Sequence, residues 1–243
     1  MTKSRNTHRL VEKPTINVRY LADYMAASSQ VRRTILRNCK YQPIARVIQH
    51  NEAKAVIANW LSENARDLDE LREKVSGLRD RFFDDDFASA QSQHNCDYIE
   101  AFIEVYPDLD LPPAEYFSPS QKFDAVINKT TVKFAPNMLL SRITRANTVK
   151  IGGVFLRYLK GTPLNENAGK FQSSFMFGFL RENPFEPDAK PEHELCLTVD
   201  CVGGIAYKPP TDKAVYFFKE MAAECASIAE RWDAIQPPPN AKY

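Results

Sequence analysis

Cations recur along one face of a predicted helix near the start of the chain, where they could contact a run of phosphate groups. Arg33, Arg37 and Lys40 follow the three- and four-residue spacing that places side chains on one helical face. With their neighbours they form the basic stripe, which comprises Arg32, Arg33, Arg37, Lys40 and Arg46. Cations that displace counterions from phosphates bind nucleic acid in a salt-dependent way. The basic stripe therefore indicates nucleic-acid contact; the alternatives are a solvated face or pairing with acids of the same chain.

A second basic cluster lies on predicted strands and the loop that joins them. It consists of Lys129, Lys133, Arg142, Arg145 and Lys150. They are a second candidate surface for nucleic acid. Alternatively, they protect an edge strand from pairing with another chain.

The chain contains no complete motif for a metal or a nucleotide. Its five cysteines and four histidines form no C-x-x-C or H-x-x-H pair, and its paired glycines lack the context of phosphate-binding loops. We expect the cysteines to be reduced core residues, and we expect neither a structural zinc ion nor a nucleotide cofactor.

Composition indicates an ordinary globular protein. The chain has 243 residues, of which 44% are hydrophobic and 26% charged. No apolar run approaches the roughly 20 residues that span a bilayer, and residues 1–14 are polar and basic rather than signal-like. We therefore expect a soluble, cytoplasmic protein without a membrane partner.

The net charge of +1 hides a strong segregation of charge along the chain. Residues 1–60 contain 11 Lys and Arg against 3 Asp and Glu, whereas residues 61–120 contain 5 against 15. Oppositely charged segments can meet within the fold or face different partners. The sequence leaves both possibilities open for the basic stripe.

Apolar spacing predicts helices first and strands later. Helices are predicted over residues 30–40, 51–61, 65–78, 87–105, 165–180 and 212–235. Strands are predicted over residues 123–127, 132–140, 148–159, 194–202 and 205–208, the first two forming a hairpin that turns near Asn128 and Lys129.

These elements predict an α+β fold in which a helical N-terminal region precedes a mixed sheet flanked by helices. Residues 1–106 form the helical region and begin with a basic arm, residues 1–14, that we expect to be mobile. Residues 107–120 are a proline-rich linker, residues 121–236 the α/β region and residues 237–243 a tail.

The order helix, three strands, helix, strand, helix over residues 98–235 resembles the core of the PD-(D/E)XK nucleases, the restriction-endonuclease-like fold. The resemblance implies an acid after a proline on the second strand and a (D/E)-x-K motif on the third, which together hold Mg²⁺. Here the two positions read Pro136-Asn137 and Gly153-Val154-Phe155, so both acids and the lysine are absent. The resemblance therefore implies a degenerate active site without a metal.

Other residues could replace the missing ones in a metal-dependent nuclease. The available carboxylates are Asp124, Glu166 and Asp200, and Arg157 and Lys160 are the available cations. Asp200 is predicted near a strand end and Glu166 near a helix start, where they could converge to bind Mg²⁺. Alternatively, Asp200 accepts backbone hydrogen bonds at a turn and Glu166 stabilises the first turn of its helix.

From the basic stripe and the resemblance we expect a non-catalytic subunit of a larger bacterial complex, such as an antiviral defence complex. It would bind a protein partner, DNA or RNA through a degenerate nuclease-like fold. The alternatives are a metal-dependent nuclease with relocated acids and a scaffold that never touches nucleic acid.

Overall fold

A computed structural model describes residues 6–44, 49–63, 66–120, 123–239 and 241–243. It confirms the predicted α+β class, with mixed sheets flanked by helices. The helices of the described residues are α1 Val18–Ala26, α2 Ser29–Lys40, α3 Asn51–Leu61, α4 Leu68–Arg79, α5 Asp86–Val105, α6 Glu166–Glu182 and α7 Ala214–Arg231. A single 3₁₀ turn, Tyr106–Asp108, follows α5.

The strands of the described residues fall into three sheets. In chain order they are β1 His8–Leu10, β2 Thr15–Asn17, β3 Tyr41–Pro43, β4 Glu115–Phe117, β5 Phe123–Ile127, β6 Thr130–Phe134, β7 Met138–Ile143, β8 Val149–Arg157, β9 Lys190–Asp200 and β10 Ile205–Tyr207. The large sheet has the order β10-β9-β8-β7-β4, the small sheet β2-β6-β5, and β1 pairs with β3.

In the large sheet only β8 and β9 run parallel, and α6 forms the crossover between them. The pairing of β8 and β9 is interrupted by a register shift between Ile151 and Gly153. At this shift a Cβ added to Gly152 would lie 2.1 Å from the Leu195 carbonyl oxygen, so the approach of the strands requires glycine.

The hairpin predicted near Asn128 and Lys129 forms as β5 and β6, and both turn residues have positive φ. The single strand predicted over residues 132–140, however, is wrong, since β6 and β7 belong to different sheets. The chain changes sheets at Pro136, which has no N–H for a ladder. Asn137 fixes the crossing, because its backbone N–H donates to Val154 and its Oδ1 accepts from the Leu156 N–H at 2.8 Å.

The N-terminal arm, as far as it is described, is paired rather than free. β1 pairs antiparallel with β3, and β2 pairs parallel with β6 of the small sheet. The C-terminal tail also packs here, since the Lys242 carbonyl accepts hydrogen bonds from Thr7 and His8 and the Tyr243 ring lies 5.2 Å from that of Tyr41. Backbone pairing thus fixes residues 6–14, which we expected to be mobile; residues 1–5 lie outside the described ones.

Hydrophobic cores cover both faces of the large sheet. The first core packs α1, α2, α6 and α7 against Phe155 and the small sheet, whereas the second packs α3, α4 and α5 against Val154 and Leu156. Side chains alternate between faces along β8, so its residues from Ile151 to Leu156 are apolar or glycine and all are buried. Both cores contain residues from each side of the proline-rich segment 107–120. All five cysteines are buried thiols.

None of the helices in the described ranges is long and apolar enough to cross a membrane.

Candidate functional site

Four arginines from two distant helices converge on one open groove. Arg32, Arg33 and Arg37 come from α2, and Arg231 comes from the last turn of α7. The groove has a volume of about 670 Å³ and is completed by Tyr24, Ser29, Leu36, Ala234, Ile235 and Gln236. We call the four arginines and the cavity that they line the arginine groove.

Within the arginine groove, Arg32 is fixed by the fold. Its Nε donates to the Ala27 carbonyl at 3.0 Å and a terminal nitrogen donates to the Met25 carbonyl at 2.9 Å, so its charge lies at the C-terminal end of α1. The guanidinium also lies 5.1 Å from the centre of the Tyr24 ring. Arg32 therefore gives the groove a rigid positive wall.

The other three arginines are largely uncommitted. Neither Arg33 nor Arg37 forms an ion pair with a carboxylate of the described ranges. Arg231 is 60% exposed and lies 3.6 Å from Glu224, a contact too long and too exposed to fix it. Glu224 also accepts from the Tyr24 hydroxyl at 2.8 Å; burial and this carboxylate raise the pKa of Tyr24 to about 12. The groove thus places one carboxylate among four guanidinium groups.

Two residues of the basic stripe are not in this groove. Lys40 is buried, and its ammonium donates to the carbonyls of Trp232 at 2.7 Å, Asp233 at 3.2 Å and Ile235 at 3.4 Å. It caps the C-terminal end of α7, where a cation offsets the exposed carbonyls. The prediction that Lys40 contacts nucleic acid is therefore wrong. Arg46 lies outside the described residues.

The second basic cluster is divided between two sheets. Lys129 and Lys133 belong to the small sheet, where Lys133 lies opposite Asp124 in the β5–β6 register. The remaining three lie on the large sheet and its β7–β8 loop, where Arg142 forms an ion pair with Glu192 at 2.7 Å. The cluster therefore forms two separate groups. On the large sheet Arg142 is already paired with a carboxylate, and the other two members there are Arg145 and Lys150.

The three carboxylates proposed for a relocated metal site occupy different surroundings. Asp124 lies on the small sheet, and Glu166 is an exposed residue that pairs with Lys170 one turn along α6. Asp200 is buried, and its two oxygens accept hydrogen bonds from the backbone N–H groups of Leu164 at 2.7 Å and Val202 at 3.0 Å. Over the described ranges, no three His, Cys, Asp or Glu side chains form a group able to hold a metal ion.

The two positions that the resemblance assigns to the nuclease acids have structural roles. Asn137 joins β7 to β8 through its side-chain oxygen. A Cβ added to Gly153 would lie 2.7 Å from the Met138 carbonyl oxygen and 3.1 Å from the Met176 sulfur. A carboxylate at position 153 would thus require β7 to move.

A second pocket lies where the parallel strands β8 and β9 end. It contains two of the residues that were considered for a relocated metal site. Arg157 and Asp200 are register partners at these strand ends. The pocket has a volume of about 290 Å³ and is lined by Arg19, Asp23, Arg157, Tyr158, Leu159, Thr162, Pro163, Leu164, Asn165 and Asp200. We call it the strand-end pocket. Lys160, the other candidate cation, instead forms an ion pair with Asp97 at 2.6 Å.

Arg157 is the anchor of the strand-end pocket. It is only 8% exposed; it donates to Gln172 Oε1 at 2.7 Å and to both carboxylate oxygens of Asp23 at 2.7 and 3.0 Å. Burial lowers the pKa of Arg157, while the Asp23 carboxylate opposes that shift. Asp23 therefore orients a guanidinium group that the fold has removed from water.

More positive charge surrounds this anchor. Burial, together with the charges of Arg19 and Arg157, lowers the pKa of Lys54 on α3 to about 8. The pKa of His50 is also lowered, first by burial and then by Lys54 and other cations. These shifts show a cation-rich region beneath the strand ends, adjoining the stacked rings of Tyr98 and Tyr158 at 4.5 Å.

Sequence reasoning missed Arg19, Asp23, Lys54 and Arg231. Arg19 and Asp23 lie four residues apart, on one face of α1, and this spacing was the one available signal for a paired site. Nothing local connects Arg231 with α2, because their proximity results from the packing of the chain ends.

No protein-family model matches this chain, and no curated protein is significantly similar to it. Its function is therefore inferred from its own residues.

Proposed function

We propose that this protein is a non-catalytic subunit that binds nucleic acid through the phosphates of its backbone, using the arginine groove. The observation that carries this proposal is the convergence of Arg33, Arg37 and Arg231 in one groove, where Glu224 is the single carboxylate paired with them among the described residues. Gathering an excess of like charge in an open groove gains nothing for the fold, whereas a polyanion in the groove would release counterions and be held by all of these groups.

Arginine suits this role better than lysine would. Its planar guanidinium can donate two parallel hydrogen bonds to one phosphate, and it stays charged at any physiological pH. Arg33 and Arg37 are one turn apart on α2, about 6 Å along the helix axis. A strand in the groove would therefore meet a row of cations with the fixed guanidinium of Arg32 beside it.

Contacts of the candidate acids support a binding role over a catalytic one. Both oxygens of Asp200 accept backbone hydrogen bonds, Glu166 points to an exposed lysine, and Asp124 lies on the other sheet. The resemblance to the nuclease-like fold adds the expectation of a place beside a protein partner in a larger complex, including an antiviral defence complex.

The test is binding of a labelled 20-mer, duplex and single-stranded, measured by fluorescence anisotropy at 50 mM salt. The variant is Arg33→Glu with Arg37→Glu, and the matched control is Arg72→Glu with Lys74→Glu on the exposed face of α4, which changes the net charge equally. We expect at least a tenfold loss of affinity in the groove variant only. Equal losses in both variants, or no binding by the unchanged protein, would refute the proposal.

The nuclease alternative has its own assay. Supercoiled DNA and single-stranded RNA would be incubated with the protein and Mg²⁺ or Mn²⁺, alongside Asp200→Asn and Glu166→Gln. We expect no cleavage above background. Cleavage that both substitutions abolish would replace the binding proposal with metal-dependent hydrolysis.

A further inference from the structure

The strand-end pocket is a small cavity in which several polar elements meet. β8 and β9 end there in parallel, the loop from residue 158 to residue 165 forms one wall, and α1 forms another. Crevices at the carboxyl ends of parallel strands are preferred ligand sites in sheets with a crossover helix. Asn165, the N-cap residue of α6, also lines the cavity, and its side chain accepts hydrogen bonds from the N–H groups of Asn167 and Ala168.

One cation of the pocket has no partner. Arg19 Nε is buried and forms no hydrogen bond with any described residue. The Arg19 guanidinium lies 5.8 Å from the centre of the Tyr20 ring, which offers no acceptor atom comparable to an oxygen. A buried donor without a hydrogen bond costs free energy, so a group that accepts a hydrogen bond from Arg19 would be bound favourably.

The two carboxylates of the pocket do not supply that acceptor. Asp23 is engaged in two hydrogen bonds with Arg157, and Asp200 is engaged with the backbone N–H groups of Leu164 and Val202. Lys54 lies near enough for Arg19 and Arg157 to lower its pKa, and no ion pair joins its ammonium to a carboxylate within the described part of the chain. Three cations thus face two carboxylates, and neither Arg19 nor Lys54 forms an ion pair within the described part of the chain.

We propose that the strand-end pocket binds a phosphate group, held by Arg19 and Arg157. The volume of about 290 Å³ is at the lower limit of small-molecule sites, which run from about 300 to 1,000 Å³. A phosphate offers several acceptor oxygens and a compact negative charge, which match the guanidinium groups of buried Arg157 and half-buried Arg19. The group comes either from free inorganic phosphate or from the phosphorylated end of a nucleic-acid strand.

This site is separate from the arginine groove, and the two can be tested independently. Thermal unfolding of the full chain would be followed in increasing inorganic phosphate, with sodium chloride adjusted to hold ionic strength constant. The variants are Arg19→Gln, which removes the unpartnered donor, and Arg72→Gln as a surface control. We expect a saturable rise in melting temperature of about 3–5 °C at ten times the midpoint concentration, lost in Arg19→Gln and kept in Arg72→Gln.

A second arm distinguishes the two sources of phosphate. Binding of a 5′-phosphorylated oligonucleotide is compared with that of the same oligonucleotide bearing a 5′-hydroxyl, in phosphate-free buffer. A preference for the phosphorylated end that Arg19→Gln abolishes identifies a strand terminus as ligand, whereas a phosphate-induced shift without that preference identifies free phosphate. No shift and no preference, or effects of equal size in Arg19→Gln, would overturn the proposal. Loss of overall affinity in the Arg33 and Arg37 variant bears only on the groove.

Discussion

Replacement of Lys54 by methionine is expected to stabilise the folded protein at neutral pH. The fold lowers the pKa of Lys54 from 10.5 to about 8, chiefly by burial and then through Arg19 and Arg157. At pH 7 the amine is charged in both the folded and the unfolded chain, so the fold carries the full cost of holding that charge. At about 1.4 kcal/mol for each tenfold change in proton affinity, the cost is on the order of 3 kcal/mol. Because the side chain is partly exposed, we expect Lys54→Met to gain about 1–2 kcal/mol.

The pH dependence of this gain has a defined sign. As the pH rises through 8, the folded amine loses its proton while the unfolded amine, with a pKa of 10.5, keeps it. The cost therefore declines between pH 8 and pH 10.5, and the advantage of the variant declines with it. Urea unfolding of both proteins at pH 7, 8, 9 and 10 measures the difference. Lys74→Met, at an exposed position of α4, should change the stability by less than about 0.5 kcal/mol at every pH.

Two results would refute this reasoning. A loss of more than about 1 kcal/mol in Lys54→Met at pH 7 would mean that the ammonium makes a favourable interaction in the fold. A gain that stays constant from pH 7 to pH 10 would mean that packing of the methionine, rather than removal of a charge, causes it.

Three further substitutions test particular contacts. Gly152→Ala forces β8 away from β9 and should lower the free energy of unfolding in urea by at least about 2 kcal/mol. The control Gly77→Ala, which has open space around it in α4, should raise that free energy by about 0.5–1 kcal/mol. Equal effects of the two substitutions would contradict the close approach of the strands. Lys40→Met leaves three carbonyls without their shared donor and should lower the free energy of unfolding by about 1–3 kcal/mol without changing nucleic-acid affinity. A loss of affinity in fluorescence anisotropy would show that Lys40 contributes to binding. Asp23→Asn removes the charge that offsets buried Arg157 and should lower stability by about 1–3 kcal/mol in thermal unfolding, and an unchanged melting temperature would show that the ion pair contributes nothing.

Local patterns predicted most of the helices. The predicted bounds of α3 are those observed, and α5 begins one residue earlier than predicted, because Asp85 accepts the capping hydrogen bond from Ala88. Four of the five strands of three residues, β1 to β4, were missed, since so short a segment carries no measurable alternation, whereas the fifth, β10, was predicted. The change of sheet at Pro136 was missed for a different reason: β6 and β7 are both apolar, and only long-range packing separates them.

The candidate site was predicted in part. Three arginines of α2 were identified from their spacing, but their fourth partner lies about 200 residues away, and Lys40 on the same face is buried under the end of α7. A helical face is defined by the sequence, whereas the neighbour that covers one end of it is defined by the tertiary fold. The strand-end pocket is more dependent still on the fold, because α1, β8, β9 and the α6 loop each supply part of it.

The most direct test of nucleic-acid binding is the salt dependence of affinity for one duplex between 50 and 200 mM salt, measured for the unchanged protein and for Arg33→Gln with Arg37→Gln. If each arginine neutralises one phosphate, the slope of log affinity against log salt concentration should decrease in magnitude by about 2 in the variant. An identical slope in the two proteins would show that neither arginine contacts phosphate and would contradict the proposed function of the groove.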